Sequence, residues 1–233
     1  MSQLHATSFS QALSADAIRT YVQRVYAWMV GGLLLTGATA FVVSGSEVML
    51  SAIFGTPLKW VVLFGPLAMV WFLAARVDQI KPSTAAGLFI AYSIMNGLSF
   101  AAIFLVYELG SIFQVFLITA GMYGAAAAYG FFTKRDLSGM GSFLFMGLIG
   151  LILASVVNIF LGSSALEFAV SVIGVLIFTG LTAYDMSRIK EQAIVMYAGE
   201  GLAHKRAIVG ALSLYLNFIN LFLYLLRLFG NRD

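Results

Sequence analysis

A few polar residues in an otherwise oily chain have the types and spacing to do chemistry. Asp185 lies in Gly180-Leu-Thr-Ala-Tyr-Asp-Met-Ser-Arg-Ile-Lys190, near the end of a long apolar run. Asn217 and Asn220 lie in a later run, within Tyr-Leu-Asn-Phe-Ile-Asn-Leu-Phe, and Arg76 closes an earlier one. A carboxylate inside a membrane span costs about 2.5–3.5 kcal/mol on insertion scales, so it marks a site and needs a partner. Burial favours its neutral form and a nearby cation its charged form, an opposition that suits a proton-sensitive gate or a calcium or proton site. Arg76 is the partner expected from another helix, and Arg188, three residues along the same helix, competes for that role. A plainer reading stays open: Asp185 is an ordinary charge at the water boundary, one turn from Arg188 and Lys190.

Asn217, Asn220 and Tyr224 recur at i, i+3 and i+7, which gives their helix one polar face. Thr182 and Tyr184 add hydroxyls beside Asp185, and Asn158 adds an amide in another run. Asn158, Tyr184, Asn220 and Tyr224 are therefore candidates to line a narrow pathway. The same pattern also fits a buried hydrogen-bonded seam, worth well under ~2 kcal/mol per bond.

The elements that must position these groups follow from composition. The chain has 233 residues, 61% hydrophobic and 10% charged, with no cysteine. A soluble domain carries about 25% charged residues, so this is an integral, all-α membrane protein without disulfides or thiolate chemistry. A crossing needs about 20 apolar residues, and seven stretches qualify: Val25–Gly45, Trp60–Ala75, Ala85–Tyr107, Ile112–Thr133, Gly141–Leu161, Phe168–Ser187 and Ala207–Phe229. The second contains Pro66, where a kink is expected. Counting alternate sides, one side holds ten Lys and Arg and the other three, Lys59, Arg227 and Arg232. The N-terminus is then cytoplasmic and the C-terminus outside, with six crossings and a re-entrant last segment as the poorer alternative. Residues 1–23 form a cytoplasmic tail without the pattern of a signal peptide, and 24–233 form the transmembrane domain. Within the tail, Ala12–Val22 reads equally as a short amphipathic surface helix or as loose chain.

One tension concerns depth. By these boundaries Asp185 is shallow and Asn217 lies near the midplane, so they meet only if the sixth span continues toward Gln192. The apolar residues Ala193, Ile194, Val195 and Met196 favour that extension, which would carry Arg188 and Glu191 against the protein interior. Small residues at fourfold spacing, Ala120, Gly124 and Ala128 in one span and Gly150 and Ala154 in the next, are expected to pack helices closely. An aspartyl protease needs two carboxylates sharing a proton, and the spans hold one; Ser and His are not placed for a triad. Glu108 and Glu167 fall at outer helix ends. An enzyme is not expected, nor a cofactor or a nucleic-acid partner.

The segments 180–190 and 211–222, with Val-Tyr-Ala-Trp-Met at 25–29 and Thr-Lys-Arg-Asp-Leu-Ser-Gly at 133–139, resemble the Bax inhibitor-1 family in its bacterial inner-membrane branch. The resemblance covers nearly the whole chain past Ala17. It implies a seven-helix bundle with the last helix central and a pH-sensitive calcium leak. It also implies a latch in which two aspartates, one on each late helix, share a proton and pair with an arginine of the second helix. By position these are Asp185, Arg76 and, in place of the second aspartate, Asn217. Asparagine cannot ionise, so the proton-sharing pair is absent and a pH response rests on Asp185. The expected activity is a calcium or other cation leak gated near the cytoplasmic side by Asp185, Asn217 and Arg76. A regulator of a membrane-anchored AAA protease, or of another membrane protein, is the alternative.

Overall fold

The structure, a computed structural model, describes residues 2–76, 79–195 and 200–232, with side chains from residue 16 onward other than 74, 194, 195 and 200–202. Among the described residues there are eight α-helices, a short 3₁₀ turn at Ala101–Leu105, and no β-strand. Six helices are long and apolar enough to cross a membrane, and one bent helix pair passes the same test. The protein is an all-α polytopic membrane protein.

Helix α1 runs unbroken from Ser2 to Ser44, with its apolar span starting at Asp16. Ala12–Val22 is thus neither a separate surface helix nor loose chain. The reason is local: no Gly or Pro occurs between Ser2 and Val30, so nothing stops the helix. The next element, α2 (Glu47–Phe54), begins where the Ser46 hydroxyl accepts a hydrogen bond from Met49 N at 3.4 Å, with Glu47 favourably placed in the first turn. Gly55-Thr56-Pro57 then breaks the helix, and α3 (Leu58–Arg76) leaves at 77° to α2. The sharp bend therefore lies at this break, while α3 stays helical through Pro66. At 19 residues, α3 is about 28 Å long, close to the thickness of the hydrocarbon core.

The remaining helices are α4 (Pro82–Phe100), α5 (Leu109–Phe132), α6 (Ser138–Leu161), α7 (Ser164–Val195) and α8 (Glu200–Phe229). Pro82 opens α4, where its missing N–H costs nothing. Between α5 and α6, hydrogen bonding from the Ser138 hydroxyl, and then from Ser138 N at 2.8 Å, holds the exposed Asp136 carboxyl below the usual range. Gly162, at φ +60°, ends α6 in the left-handed conformation that glycine adopts without steric cost. The last span is continuous. It is also the most enclosed: 67% of it is buried, against 11–39% for the other five continuous spans.

The chain divides into two compact units, Met1–Phe104 with Ile189–Tyr215, and Leu105–Arg188 with Leu216–Asp233. In the first, α1 packs on α4, and α3 packs on α4 and α2. A cluster of Val43, Ile53, Val62 and Ala101 closes the end where these four elements meet. Gly97 of α4 sits tightly against Thr36 and Thr39 of α1, where a side chain would have no room. In the second unit, Gly130 of α5 lies directly on the Ala183 backbone of α7, and Gly141 of α6 lies on the Tyr184 ring. The expected packing stripe is not where the helices meet. Ala120, Gly124, Ala128 and Gly150 are exposed, and the buried face of α5 is Thr119, Tyr123, Ala126, Ala127 and Gly130. Both faces of a membrane helix are apolar, so spacing of small residues alone does not say which one meets protein.

Candidate functional site

Helix α7 is long enough to bring the two late polar residues together. Its described part reaches Val195, eight residues past the boundary that hydropathy suggested, because no Gly or Pro interrupts it after Gly180. Met196, the last residue of the expected extension, lies outside the described residues. In the second unit, α7 and α8 run antiparallel. Asn217 meets Asp185, and seven residues along each helix Tyr224 stacks on Phe178 with ring centroids 5.8 Å apart. Gly174 leaves the space that the Tyr224 ring fills.

The Asn217 Nδ2 donates to Asp185 Oδ2 at 2.8 Å, and the two residues are 5% and 8% exposed. An amide donor to a carboxylate in a low-dielectric surround is a charge-assisted bond. The amide has no proton-accepting group of comparable basicity, so the pair cannot exchange a proton as two carboxylates do. Asp185 is left as the group that can gain a proton or attract a cation. Calcium held as a resident ion takes six to eight oxygen ligands. Among the described residues no three His, Cys, Asp or Glu side chains converge on one point.

The other expected lining residues are placed differently. Asn220, half-buried, turns its Nδ2 back to Leu216 O at 2.8 Å, and buried Thr182 donates to Phe178 O at 2.7 Å. Tyr184 is half-buried with its ring edge-on to Phe145, and Tyr224 is a packing ring with the Arg227 guanidinium above it. Asn158 belongs to a turn: its Oδ1 accepts from Ser163 N at 3.0 Å and closes the α6–α7 corner. Arg188 and Glu191 are exposed, not carried inward, since they sit on the outer face of the extended α7; Arg188 makes no ion pair among the described residues. Arg76 belongs to the first unit, is exposed, and donates from Nη1 to Gln79 Oε1 at 2.9 Å.

Two arrangements were not foreseen. In the first unit, Thr36 Oγ1 donates to Ser93 O at 2.8 Å and lies 2.7 Å from Tyr215 Oη. Since Thr36 has one proton and has given it to Ser93, Tyr215 is the donor to Thr36. A lone threonine after Leu33-Leu34-Leu35 was the available hint. In the second unit, the chain after α8 crosses the start of α5: Glu108 N donates to Asn231 O at 3.1 Å and Asn231 N to Ser111 Oγ at 2.9 Å. Arg232 ends this strap over the Tyr107 ring, with Nη2 3.5 Å from Glu167 Oε1.

Comparison with known proteins places this geometry in a family context. The family model described as Inhibitor of apoptosis-promoting Bax1 matches residues 18–233. Inner membrane protein YbhL of Escherichia coli (strain K12) is 45% identical over 217 residues, 92% of this chain and 93% of the relative. An uncharacterized protein of Caulobacter vibrioides is 40% identical over 232 residues, covering 95% of this chain and 93% of the relative. An uncharacterized membrane protein of Streptococcus pyogenes serotype M1 is 42% identical over 164 residues, 70% of each chain.

Proposed function

We propose, for a chain that belongs to the Inhibitor of apoptosis-promoting Bax1 family, that it is a cation leak channel of the bacterial inner membrane, with calcium as the permeant ion and Asp185 as its pH-responsive group. The observation that carries this reading is the buried hydrogen bond from Asn217 to Asp185. A carboxyl this deep inside membrane helices is expensive unless it serves an ion or proton path. Asn217 keeps a donor aimed at Asp185 and never releases a proton. The gate then responds to pH through one titrating carboxyl rather than a coupled pair. The inner-membrane location rests on the apolar helices and on the naming of the Escherichia coli relative. The cytoplasmic N-terminus rests on the ten-to-three distribution of Lys and Arg.

The test is calcium uptake by proteoliposomes across pH 5–8. The parent chain is expected to pass calcium, with a shallower pH dependence than an Asn217→Asp variant, which restores two coupled carboxyls. Asp185→Ala should flatten the profile. Absence of calcium flux in all three proteins would overturn the channel reading. Identical profiles for the parent and Asn217→Asp would remove Asn217 from the gate.

A further inference from the structure

We infer that Gly230-Asn231-Arg232 is a releasable strap that shuts one end of the second unit and, on the leak-channel reading above, that ions pass only when the strap lifts. Gly230 N donates to Leu226 O at 2.8 Å, which turns the chain off the end of α8. Asn231 then pairs with α5 through both backbone groups. Its carbonyl accepts from Glu108 N at 3.1 Å, and its N–H donates to Ser111 Oγ at 2.9 Å. Arg232 bridges to Tyr107, lies 5.6 Å from the centre of that ring, and reaches Glu167 of α7. One short segment thus ties the end of α8 to the starts of α5 and α7, and α7 and α8 are the helices that carry Asp185 and Asn217.

The strap is fitted, yet it has no apolar anchor. Gly230 lies so close to the Leu226 carbonyl and the Tyr107 ring that a side chain there would collide with both. Beneath the strap Tyr107 and Ser111 are only 8% and 7% exposed, whereas a frayed terminus covers nothing. None of its three residues has an apolar side chain. What holds it is hydrogen bonding, for which water substitutes at small net cost, and an ion pair whose two side chains are 56% and 46% exposed, which adds little. The strap lies just past the ends of the spans Leu109–Phe132 and Ala203–Phe229, at the border where water takes over the released bonds. A well-fitted cover held by exchangeable bonds is the kind of element that opens locally while the rest of the fold stays intact. Parting α8 from α5 or α7 at this end requires the Asn231 bonds to break first.

The chain has no cysteine, so an introduced pair is unambiguous. Ser111→Cys combined with Asn231→Cys puts two thiols at the central contact of the strap; oxidation locks it and reduction frees it in the same molecule. Calcium flux into proteoliposomes is expected to fall severalfold on oxidation and to recover on reduction, with the parent unaffected by either treatment. Gly230→Val, which pushes the strap off Tyr107, should raise the flux, and this keeps the flux arm valid if the pair does not oxidise. A second readout does not depend on conduction. In detergent, the thiol of Ser111→Cys should react slowly with a water-soluble maleimide, and roughly tenfold faster when Gly230→Val is added, the effect of losing about one hydrogen bond from the closed state. Faster labelling with no calcium flux in any protein would support the closure and overturn the leak-channel reading instead. Equal labelling with and without Gly230→Val, or equal flux in the locked and freed pair while the parent conducts, would overturn the strap.

Discussion

Helix α8 carries two buried polar contacts, two residues apart, that differ in one chemical respect. Tyr215, in the first unit, donates to Thr36, which donates to the Ser93 carbonyl, with Phe89 and Tyr92 packed edge-on around the ring. Asn217, in the second unit, donates to Asp185. Both contacts are buried and tie α8 to a neighbouring helix. The first is made of hydroxyls and a backbone carbonyl, none of which changes charge between pH 5 and 8. The second ends on a carboxyl. Burial and hydrogen bonding are therefore common to a structural pin and to a candidate gate, and titratability separates them.

Overpacking gives the largest test of that distinction. Gly130 lies on the Ala183 backbone, two residues before Asp185, and Gly97 lies on Thr36 and Thr39. Gly130→Val and Gly97→Val should each cost about 3 kcal/mol, at the upper end for an overfilled interface, measured by thermal or denaturant unfolding in detergent. Gly130→Val alone should distort the pH profile of calcium flux, and a matching distortion in Gly97→Val would break the comparison. Removing the donors is the next step down. Asn217→Leu should cost about 1–3 kcal/mol, with a loss that grows as pH rises because a charged acceptor binds the amide more strongly. Tyr215→Phe should cost about 0.6 and at most ~1.7 kcal/mol, typical of hydrogen bonds between membrane helices, and the loss should be flat with pH. Unfolding measured at pH 5 and pH 8 decides between them. The smallest effect is expected at the exposed Arg232–Glu167 pair, where Arg232→Ala should cost about 0–1 kcal/mol, shrinking in high salt and leaving the flux profile unchanged.

The long elements were legible because hydropathy and the absence of breakers act locally. The apolar residues after Asp185 indicated that α7 continues, and α7 runs to Val195. The contact between Asp185 and Asn217 depended on that continuation. Facing was harder to read. On α5 the stripe Ala120, Gly124 and Ala128 is exposed while Gly130, one of several glycines, makes the close approach; lipid and protein are equally apolar neighbours, so the sequence carries little contrast. Asn158 had the composition of a lining residue, yet its position four residues before Gly162 makes it a corner residue. Tyr215 gave no warning, since a tyrosine among leucines reads as packing until Thr36, 179 positions away, is found beside its hydroxyl.

The break at Gly55-Thr56-Pro57 has a consequence of parity. The six continuous spans change sides an even number of times, so the bent α2–α3 pair alone decides whether the two chain ends share a compartment. If the pair turned back instead of crossing, eight Lys and Arg of the later loops, from Arg76 to Arg206, would exchange sides with Arg227 and Arg232. A crossing leaves ten Lys and Arg on one side and three on the other, and a turn back leaves nine and four, so loop charge favours the crossing by a single residue. Three residues, Gly55 to Pro57, thus separate two topologies that place everything downstream on opposite sides.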